Sequence, residues 1–357
     1  MLRSILVAFL LFLAPTFAAA DIIVGAGPGG GPQVKVFDGQ TGATTQSFFA
    51  YGPSFTGGVR VAAGDVNGDG LSDIITGAGA GGGPHVKVFD GQTGAEIRSF
   101  LAFAPASGGG VFVAAGDLDG DGRADIVAGT DTDVPAQVKA FDGATGSEVR
   151  SFFPYTPSFM GGVRVAAGDV NGDGFDDIIT GTGPGGGPHV KVFDGTSGVE
   201  LRSFFAYDAT FAGGVFVAAG DLDGDGFADL VTGTDEGAAA HVKVFDGKTG
   251  DLAQSFLPYG GFTGGVRVAV GDLDGDGLGE IITGAGPGAG PHVRVFSGQT
   301  GAELQSFFAF EGQFPGGVYV AAANIPEPSA LLLAASAVAI VAPLRISPRA
   351  KRRRAAR

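Results

Sequence analysis

Acidic side chains recur at fixed spacing in five nine-residue segments, which begin at residues 65, 117, 169, 221 and 272 of the 357-residue chain. The third segment reads DVNGDGFDD and shows the shared pattern: Asp or Asn at positions 1, 3 and 5, Gly at position 6, and Asp or Glu at position 9. Oxygen ligands this closely spaced suit a hard cation, and calcium tolerates flexible loop geometry better than magnesium does. The pattern therefore predicts about five structural calcium ions.

In each segment we expect the side-chain oxygens of positions 1, 3 and 5, the backbone carbonyl of position 7 and the carboxylate of position 9 to bind one ion. Glycine at position 6 allows the sharp turn that this wrapping requires. The predicted metal ligands are Asp65, Asn67, Asp69, Leu71, Asp73, Asp117, Asp119, Asp121, Arg123, Asp125, Asp169, Asn171, Asp173, Phe175, Asp177, Asp221, Asp223, Asp225, Phe227, Asp229, Asp272, Asp274, Asp276, Leu278 and Glu280.

Two other interpretations of these segments fit less well. An EF-hand needs a bidentate Glu at position 12, where this chain has Thr or Ala, and helices on both sides, where this chain has strand-like sequence. Asp-Gly and Asn-Gly pairs also form ordinary tight turns, but such turns do not need acids at four fixed positions. A repeated metal loop accounts for both the spacing and the residue types.

The segments recur at intervals of 52, 52, 52 and 51 residues, which indicates a repeat protein. Each unit contains four short apolar runs rich in Val, Ile and Phe and bounded by Gly, Pro, Asp or Asn, a pattern typical of β-strands. The links are too short for crossover helices, so the strands should form an antiparallel meander. We therefore predict an all-β fold, a six-bladed β-propeller of four-stranded repeats, with an open stacked array as the less favoured alternative.

The phase of the repeat predicts how the ring closes. Asp21 aligns with Asp73, so the first unit lacks its first strand, and the chain supplies that strand again at residues 318–322. A closing blade shared by the N-terminal and C-terminal strands follows. Its metal segment is missing between Asn324 and Asp21, so five sites rather than six are expected.

The innermost strand of each blade should hold small residues where blades crowd together. One position of this strand alternates between a cation and an aromatic ring, as Arg60, Phe112, Arg164, Phe216, Arg267 and Tyr319. This alternation predicts a pseudo-threefold ring of cation–π contacts, although independent positions in duplicated units would produce the same pattern.

Acids in two links and a recurring histidine are the remaining candidates for chemistry. The links at residues 130–133 and 234–236 break the glycine pattern, and their acids Asp131, Asp133, Asp235 and Glu236 are either ligand-facing or ordinary loop variation. Histidine recurs at residues 85, 189, 241 and 292, where Gln33 and Gln137 also occur, which favours a structural role. No catalytic residue is predicted.

The chain has a formal charge of −15, and residues 21–328 hold all 37 acids and 14 of the 22 bases, a charge of −23. Such a body repels phosphate backbones, so no nucleic acid partner is expected. The chain has no cysteine, which excludes disulfides and thiolate chemistry.

Both ends of the chain carry targeting signals. Residues 1–20 read as a secretory signal peptide, with Arg3, an apolar run and Ala18, Ala19 and Ala20 before the expected cleavage site. Residues 21–324 form the predicted propeller. Residues 325–357 contain a Pro-Glu-Pro motif, a short apolar segment at 329–344 and a basic tail that should stay cytoplasmic. Sixteen residues make only a marginal, transient membrane span.

This ending resembles the PEP-CTERM sorting signal of bacterial exported proteins. The resemblance implies recognition by a membrane protease of the exosortase type, with cleavage near residues 326–328. Together the two signals predict export to the cell surface or the extracellular space.

The stretch GGVRVAAGDVNGDGFDDIITGTGPGGGP resembles an FG-GAP repeat of the type found in the N-terminal propeller of integrin α chains, and the resemblance covers residues 21–323. It implies that the calcium ligands of the family fall on the loop residues given above. The chain departs from the family pattern where Gly161 and Gly162 replace the Phe-Gly pair, and in having six units rather than seven. The identity of an integrin-like ligand therefore does not transfer.

Taken together, these features predict a calcium-binding adhesion or interaction module that binds a protein or polysaccharide on one rim. A carbohydrate-active lyase or hydrolase on the same scaffold, and a purely structural surface spacer, remain as alternatives.

Overall fold

The computed structural model describes residues 19–104 and 108–323, and within these residues all 24 regular elements are β-strands. They form six four-stranded antiparallel sheets. The predicted signal segment at residues 1–18, Asn324, the Pro-Glu-Pro motif, the apolar segment at 329–344 and the basic tail lie outside the described residues.

Five sheets are built from four consecutive strands, which we number as blades 1 to 5. Blade 1 contains β4 (Val59–Gly64), β5 (Asp73–Ala78), β6 (His85–Phe89) and β7 (Glu96–Leu101). Blade 2 contains β8 (Val111–Gly116), β9 (Asp125–Thr130), β10 (Val138–Phe141) and β11 (Glu148–Phe152). Blade 3 contains β12 (Val163–Gly168), β13 (Asp177–Thr182), β14 (His189–Phe193) and β15 (Glu200–Phe205). Blade 4 contains β16 (Val215–Gly220), β17 (Asp229–Thr234), β18 (Val242–Phe245) and β19 (Leu252–Phe256). Blade 5 contains β20 (Val266–Gly271), β21 (Glu280–Ala285), β22 (His292–Ser297) and β23 (Glu303–Phe308).

The closing blade joins the two ends of the chain. It contains β1 (Asp21–Ala26), β2 (Gln33–Phe37) and β3 (Thr44–Phe49), together with β24 (Val318–Ala323) as its first strand. Strands β1 and β24 pair antiparallel from Asp21 opposite Ala323 to Ala26 opposite Val318. The innermost strands β4, β8, β12, β16, β20 and β24 contact one another in a closed circle. The fold is therefore a six-bladed propeller with a shared closing blade, as the repeat phase predicted.

Residue choice follows the distance of each strand from the axis. The second strand of every blade is buried along its whole length, which explains runs such as Ile74 and Ile75. The third strand alternates between buried and half-buried positions, and the fourth is largely exposed. The apolar core lies between blades, where Val86 and Val88 of blade 1 pack in one cluster with Val111 and Val113 of blade 2. Burial of these faces between sheets stabilises the ring.

Antiparallel pairing divides the connections between two rims. The loop rim carries residues 65–73, the turn at 90–94 and their equivalents. The link rim carries the glycine-rich residues 79–84, the connection between blades and their equivalents. Within the described ranges, no helix is long and apolar enough to cross a membrane.

Candidate metal loops and the central arginine ring

The five nine-residue segments form the candidate metal loops, one in each of blades 1 to 5. Each loop connects the first two strands of its blade and is folded around its position-1 aspartate. In the first loop, Asp65 accepts hydrogen bonds from the amides of Gly68 at 2.6 Å and Gly70 at 2.7 Å. Both glycines have positive φ, +78° and +87°, which an L side chain rarely adopts. The same two bonds recur at Asp117, Asp169, Asp221 and Asp272. Glycines at positions 4 and 6 therefore both shape the loop, although the sequence argument singled out only position 6.

The carboxylates of positions 1, 3 and 5 converge. In three loops their oxygen atoms lie within 4.8 Å of one another, at residues 117, 119 and 121, at 221, 223 and 225, and at 272, 274 and 276. The other two loops have Asn67 and Asn171 at position 3, and the side-chain oxygen of each accepts the position-5 amide at 2.9 Å. Three hard oxygen donors at such spacing can hold a divalent cation.

The position-9 acid faces the interior of the blade instead. Asp73 is 1% exposed, and its oxygens accept hydrogen bonds from the amides of Val66 at 3.0 Å, Asn67 at 3.1 Å and Gly91 at 3.2 Å. This carboxylate joins the metal loop to the neighbouring turn on the same rim. The structure does not bring it into the groups formed by positions 1, 3 and 5, so its role as a ligand stays a prediction.

Burial raises the pKa of every position-9 acid. The pKa is about 6 for Asp73, Asp125, Asp177 and Asp229, and about 7 for Glu280. Desolvation is the main cause, and hydrogen bonds from loop amides oppose it only in part. These acids therefore carry a proton at a higher pH than an exposed carboxyl group.

Consecutive loops interlock through the side chain at position 7, a position predicted to contribute only its backbone carbonyl. The Arg123 side chain donates to the carbonyl oxygen of Asn67 in the preceding loop. The Phe175 ring packs closely on Gly120, and Phe227 packs on Gly172 in the same way. A large side chain at position 7 thus covers the loop of the blade before it.

The closing blade continues this arrangement without a loop of its own between described residues. Asp21 takes the place of a position-9 acid and is 5% exposed. The Ala20 amide donates to the carbonyl oxygen of Asp272 at 2.7 Å. Asn324, the predicted counterpart of position 1, lies outside the described residues, so the expectation of five metal sites rather than six stays a prediction.

The predicted ring of cations and aromatic rings is present around the axis. The Arg60 guanidinium lies 4.6 Å from the Phe112 ring centroid and 5.6 Å from that of Tyr319. Arg164 lies 5.0 Å from Phe112 and 5.2 Å from Phe216. Arg267 completes the circle, at 5.2 Å from the Phe216 ring and 5.0 Å from the Tyr319 ring. Each guanidinium lies between two rings, so the alternation in sequence is a physical contact network rather than a set of independent positions.

Two buried acids complete this ring, a role that their residue types and spacing had not predicted. Asp131 binds Arg60, and Asp235 binds Arg164 at 2.5 Å, with all four side chains largely buried. Asp131 and Asp235 are therefore neither ordinary loop variation nor ligand-facing acids, whereas Asp133 and Glu236 of the same links are exposed. The signal available in sequence was that each acid follows its arginine by the same 71 residues.

Clefts recur on the link rim between neighbouring blades. One cleft of about 340 Å³ is lined by Tyr155, Phe159, His189 and Lys191 among others. A second, of about 360 Å³, has Phe310, Phe314, Gln33 and Lys35 at the equivalent positions. Both therefore present two aromatic side chains, one polar side chain and one lysine.

The histidines in this rim have a structural role. The ring nitrogens of His85, His189, His241 and His292 lie 2.7 to 2.8 Å from a serine hydroxyl on the next strand. Gln33 and Gln137 make the same bond, to Ser47 and Ser151, at 2.9 and 2.8 Å. Burial lowers the pKa of each histidine and so favours its neutral form.

Two solved structures resemble this fold. Rhamnogalacturonan lyase YesW is 14% identical with a TM-score of 0.43, over 84% of this chain and 66% of that chain. The structure of U3-55K is 14% identical with a TM-score of 0.46, over 77% of this chain and 75% of that chain.

Sequence comparison matches parts of this chain to a known protein and to a repeat family. Integrin alpha-5 of Xenopus laevis is 30% identical over 190 residues, which cover 46% of this chain and 16% of the integrin, so the chain spans about one sixth of that relative. Residues 169–232 and 221–283 match the family described as FG-GAP-like repeat, and residues 57–95 match the FG-GAP repeat. The chain therefore contains FG-GAP repeats, at residues 57–95 and 169–283.

Proposed function

We propose that this protein is an exported, calcium-stabilised propeller that acts as an adhesion or interaction module at the cell surface or in the extracellular matrix. The observation that carries the proposal is that different groups of side chains recur on the two rims. Carboxylate groups able to hold cations recur on the loop rim, which also has a cleft of about 370 Å³ lined by Asp119, Arg150 and Phe175 among others. The clefts of the link rim instead share one repeated lining of two aromatic side chains, one polar side chain and one lysine. The first rim stabilises the ring, and the second presents binding surfaces.

Calcium is the cation that fits the loops. The three-oxygen groups consist of carboxylates near the protein surface, with neither sulfur nor imidazole among them. Such donors favour calcium, magnesium or manganese over zinc or copper, and calcium is the cation that best tolerates a flexible loop. Five ions would offset ten of the negative charges of the acidic body. The sites supply stability to the blades rather than chemistry, because the same loop recurs without a distinct member.

A repetitive polymer is the ligand that matches repeated clefts. Equivalent side chains line the clefts at Lys191 and at Lys35, so a ligand with identical units can occupy several clefts at once. Polysaccharides have such units, and weak contacts at several clefts add up to useful affinity. Catalysis needs a group of residues present in one place, whereas these linings repeat, so we propose binding without turnover. A protein ligand is the other outcome that the experiment must separate.

Export rests on the two terminal segments and on the kind of relative. We propose that residues 1–20 direct secretion and that the Pro-Glu-Pro segment with its basic tail directs membrane sorting by a protease of the exosortase type. Similarity to an integrin chain agrees with a position outside the cell.

A glycan array probed with the calcium-loaded propeller tests the proposal, together with lyase and hydrolase assays on the glycans that bind. We expect binding to one class of polysaccharide, weakened at least tenfold by Phe159→Ala with Lys191→Ala on the link rim. Gln92→Ala, an exposed change on the loop rim, is the matched control and should leave binding unchanged. Release of products from any bound glycan would show that the protein is an enzyme rather than a binding module. Binding to proteins alone would show that the ligand is not a polysaccharide.

A further inference from the structure

The five candidate metal loops are of two kinds, which differ at position 3. Asn67 and Asn171 hold this position in blades 1 and 3, the Asn loops, whereas Asp119, Asp223 and Asp274 hold it in blades 2, 4 and 5, the Asp loops. The two side chains have nearly the same shape, but only the carboxamide of Asn can donate a hydrogen bond. The two kinds of loop therefore differ in how much they depend on a bound cation.

In the Asn loops, the carboxamide nitrogen joins two carboxylates. Nδ2 of Asn67 donates to the position-9 acid Asp73 at 3.1 Å and to Asp90 of the neighbouring turn at 3.3 Å. Asn171 makes the two equivalent bonds in blade 3, at 3.4 and 3.3 Å. A neutral donor of the chain itself thus ties the loop to its turn, and these bonds need no ion.

The Asp loops have no donor at position 3, and they gather more charge. Oxygens of the carboxylates at positions 1, 3 and 5 lie within 4.8 Å of one another in all three Asp loops, and like charges at this distance repel. Lys248 lies 3.6 Å from Asp225 in blade 4, but it is 55% exposed, and solvent screens an ion pair of this kind. A bound divalent cation is the group that relieves this repulsion.

The affinity of a loop for calcium rises with the number of charged ligands. Positions 1, 3 and 5 supply three negative charges in an Asp loop and two in an Asn loop. In blade 1 a cation opposes even these, because Arg123 packs on Gly68 and donates to the carbonyl oxygen of Asn67. The loop of blade 3 is covered by the uncharged ring of Phe227 instead. Blade 1 therefore has the loop least favourable to calcium.

Given the calcium binding put forward under the proposed function, we propose that the ions occupy two classes of site. The three Asp loops bind tightly, and the two Asn loops bind weakly, blade 1 most weakly of all. Falling calcium then empties the Asn loops first without opening them, because their carboxamides hold them closed. Complete removal of calcium opens the Asp loops, where nothing else offsets the three carboxylates.

Calorimetric titration of the calcium-free protein tests the two classes. We expect about three ions to bind at least about tenfold more tightly than the other two. Asn67→Asp combined with Asn171→Asp should bring all the ions into the tight class, and the reciprocal Asp119→Asn should move one ion to the weak class. Gln92→Glu is the matched control, because it adds an exposed carboxylate to the same rim outside the loops, and it should change neither class.

The possible failures of this titration are distinct. Equal affinity at all the sites of the parent protein would overturn the two classes and leave the proposed function intact. An equal effect of Gln92→Glu and of the double Asn→Asp variant would show that general charge, rather than position 3, sets the affinity. No binding of calcium at all would contradict the proposed function itself.

Hydrogen exchange of the unmodified protein keeps the test decisive if the double variant does not fold. Chelation of calcium should speed amide exchange in the Asp loops, at residues 117–125, 221–229 and 272–280, more than in the Asn loops, at residues 65–73 and 169–177. Equal acceleration in all five loops, or greater acceleration in the Asn loops, would show that the carboxamides do not hold their loops closed.

Discussion

The backbone amide of Ala124 donates a hydrogen bond of 2.7 Å to the carbonyl oxygen of Asp65, which joins position 8 of one metal loop to position 1 of the loop before it. The same bond joins Asp176 to Asp117, Ala228 to Asp169, and Gly279 to Asp221, at 2.7 to 2.8 Å. A cation held at position 1 thus acts on the seam between two blades as well as on its own loop. The candidate metal loops are therefore linked to one another across the seams between blades.

The hydrogen bond from Ala20 to Asp272 is the last described member of this series. It predicts how the choice of first residue affects the stability of the folded protein. Ala20 donates to Asp272 at 2.7 Å and is 8% exposed, so it fills the same position as Ala124 one seam further on. A recombinant chain that begins at Asp21 loses this bond and places a charged amine at the seam. We expect it to be less stable than a chain beginning at Ala19 by about 1 kcal/mol. Denaturant unfolding of the two proteins provides the measurement, and equal midpoints would show that Ala20 contributes nothing.

Removing one position-1 carboxylate should remove one ion. Asp221 organises its loop through both oxygens and belongs to a three-carboxylate group. We expect calorimetric titration to find about five calcium ions per chain, and about four in Asp221→Ala, with a lower melting temperature in calcium. The matched control is Asp251→Ala, an exposed acid in a neighbouring turn, which should leave the stoichiometry unchanged. A parent protein that binds no calcium at millimolar concentration contradicts the metal assignment altogether.

The position-9 acids predict how pH acts on the metal-free protein. Their pKa values of about 6, or about 7 for Glu280, exceed the ordinary value in the unfolded chain. The folded state therefore binds more protons than the unfolded state between about pH 4 and 7, and the stability that these groups contribute is lost as pH rises through that window. With calcium chelated, the protein should melt at a higher temperature at pH 5 than at pH 7. Asp125→Asn combined with Asp229→Asn should flatten this dependence.

Calcium should reverse the sign of that dependence. An ion favours ionised carboxylates, so its binding near these acids releases protons at about pH 6. Titrations in two buffers of different ionisation enthalpy measure that release. A count of zero protons at pH 6 would show that the position-9 acids do not respond to the ion.

Sequence periodicity was sufficient for the blade, the ring and its closure, because every unit of 51 or 52 residues repeats the same strand and turn signals. It also predicted the axial ring, since Arg60 and Phe112 alternate at one position of the innermost strand. The pairing of Arg60 with Asp131 was not visible in this way, because the partner lies in the next blade and in a link rather than a strand. The hydrogen bonds that Asp73 accepts from the amides of Val66 and Gly91 were also not visible in the sequence, because they depend on how the loop packs against the neighbouring turn.

The ring of arginines predicts unequal effects of equivalent mutations. Arg164→Met leaves Asp235 buried without a partner, which should cost about 3 to 5 kcal/mol. Arg267→Met leaves no acid unpaired, and the contacts with two rings that it loses are offset by removal of a buried charge without an ion pair, so it should cost less than about 1 kcal/mol. Chemical denaturation at fixed calcium compares the two variants. Equal losses would mean that the buried acid does not set the cost.

The recurring histidine predicts a substitution that the fold should tolerate. His189 contacts the Ser203 hydroxyl at 2.8 Å, and Gln137 makes the equivalent bond to Ser151 at the same distance. His189→Gln should therefore change the stability by less than about 0.5 kcal/mol. His189→Ala loses the bond as well as the contact of the imidazole with Phe205, and it should destabilise the protein measurably more. If His189→Gln were to abolish ligand binding without loss of stability, the histidine would belong to a binding site rather than to the strand.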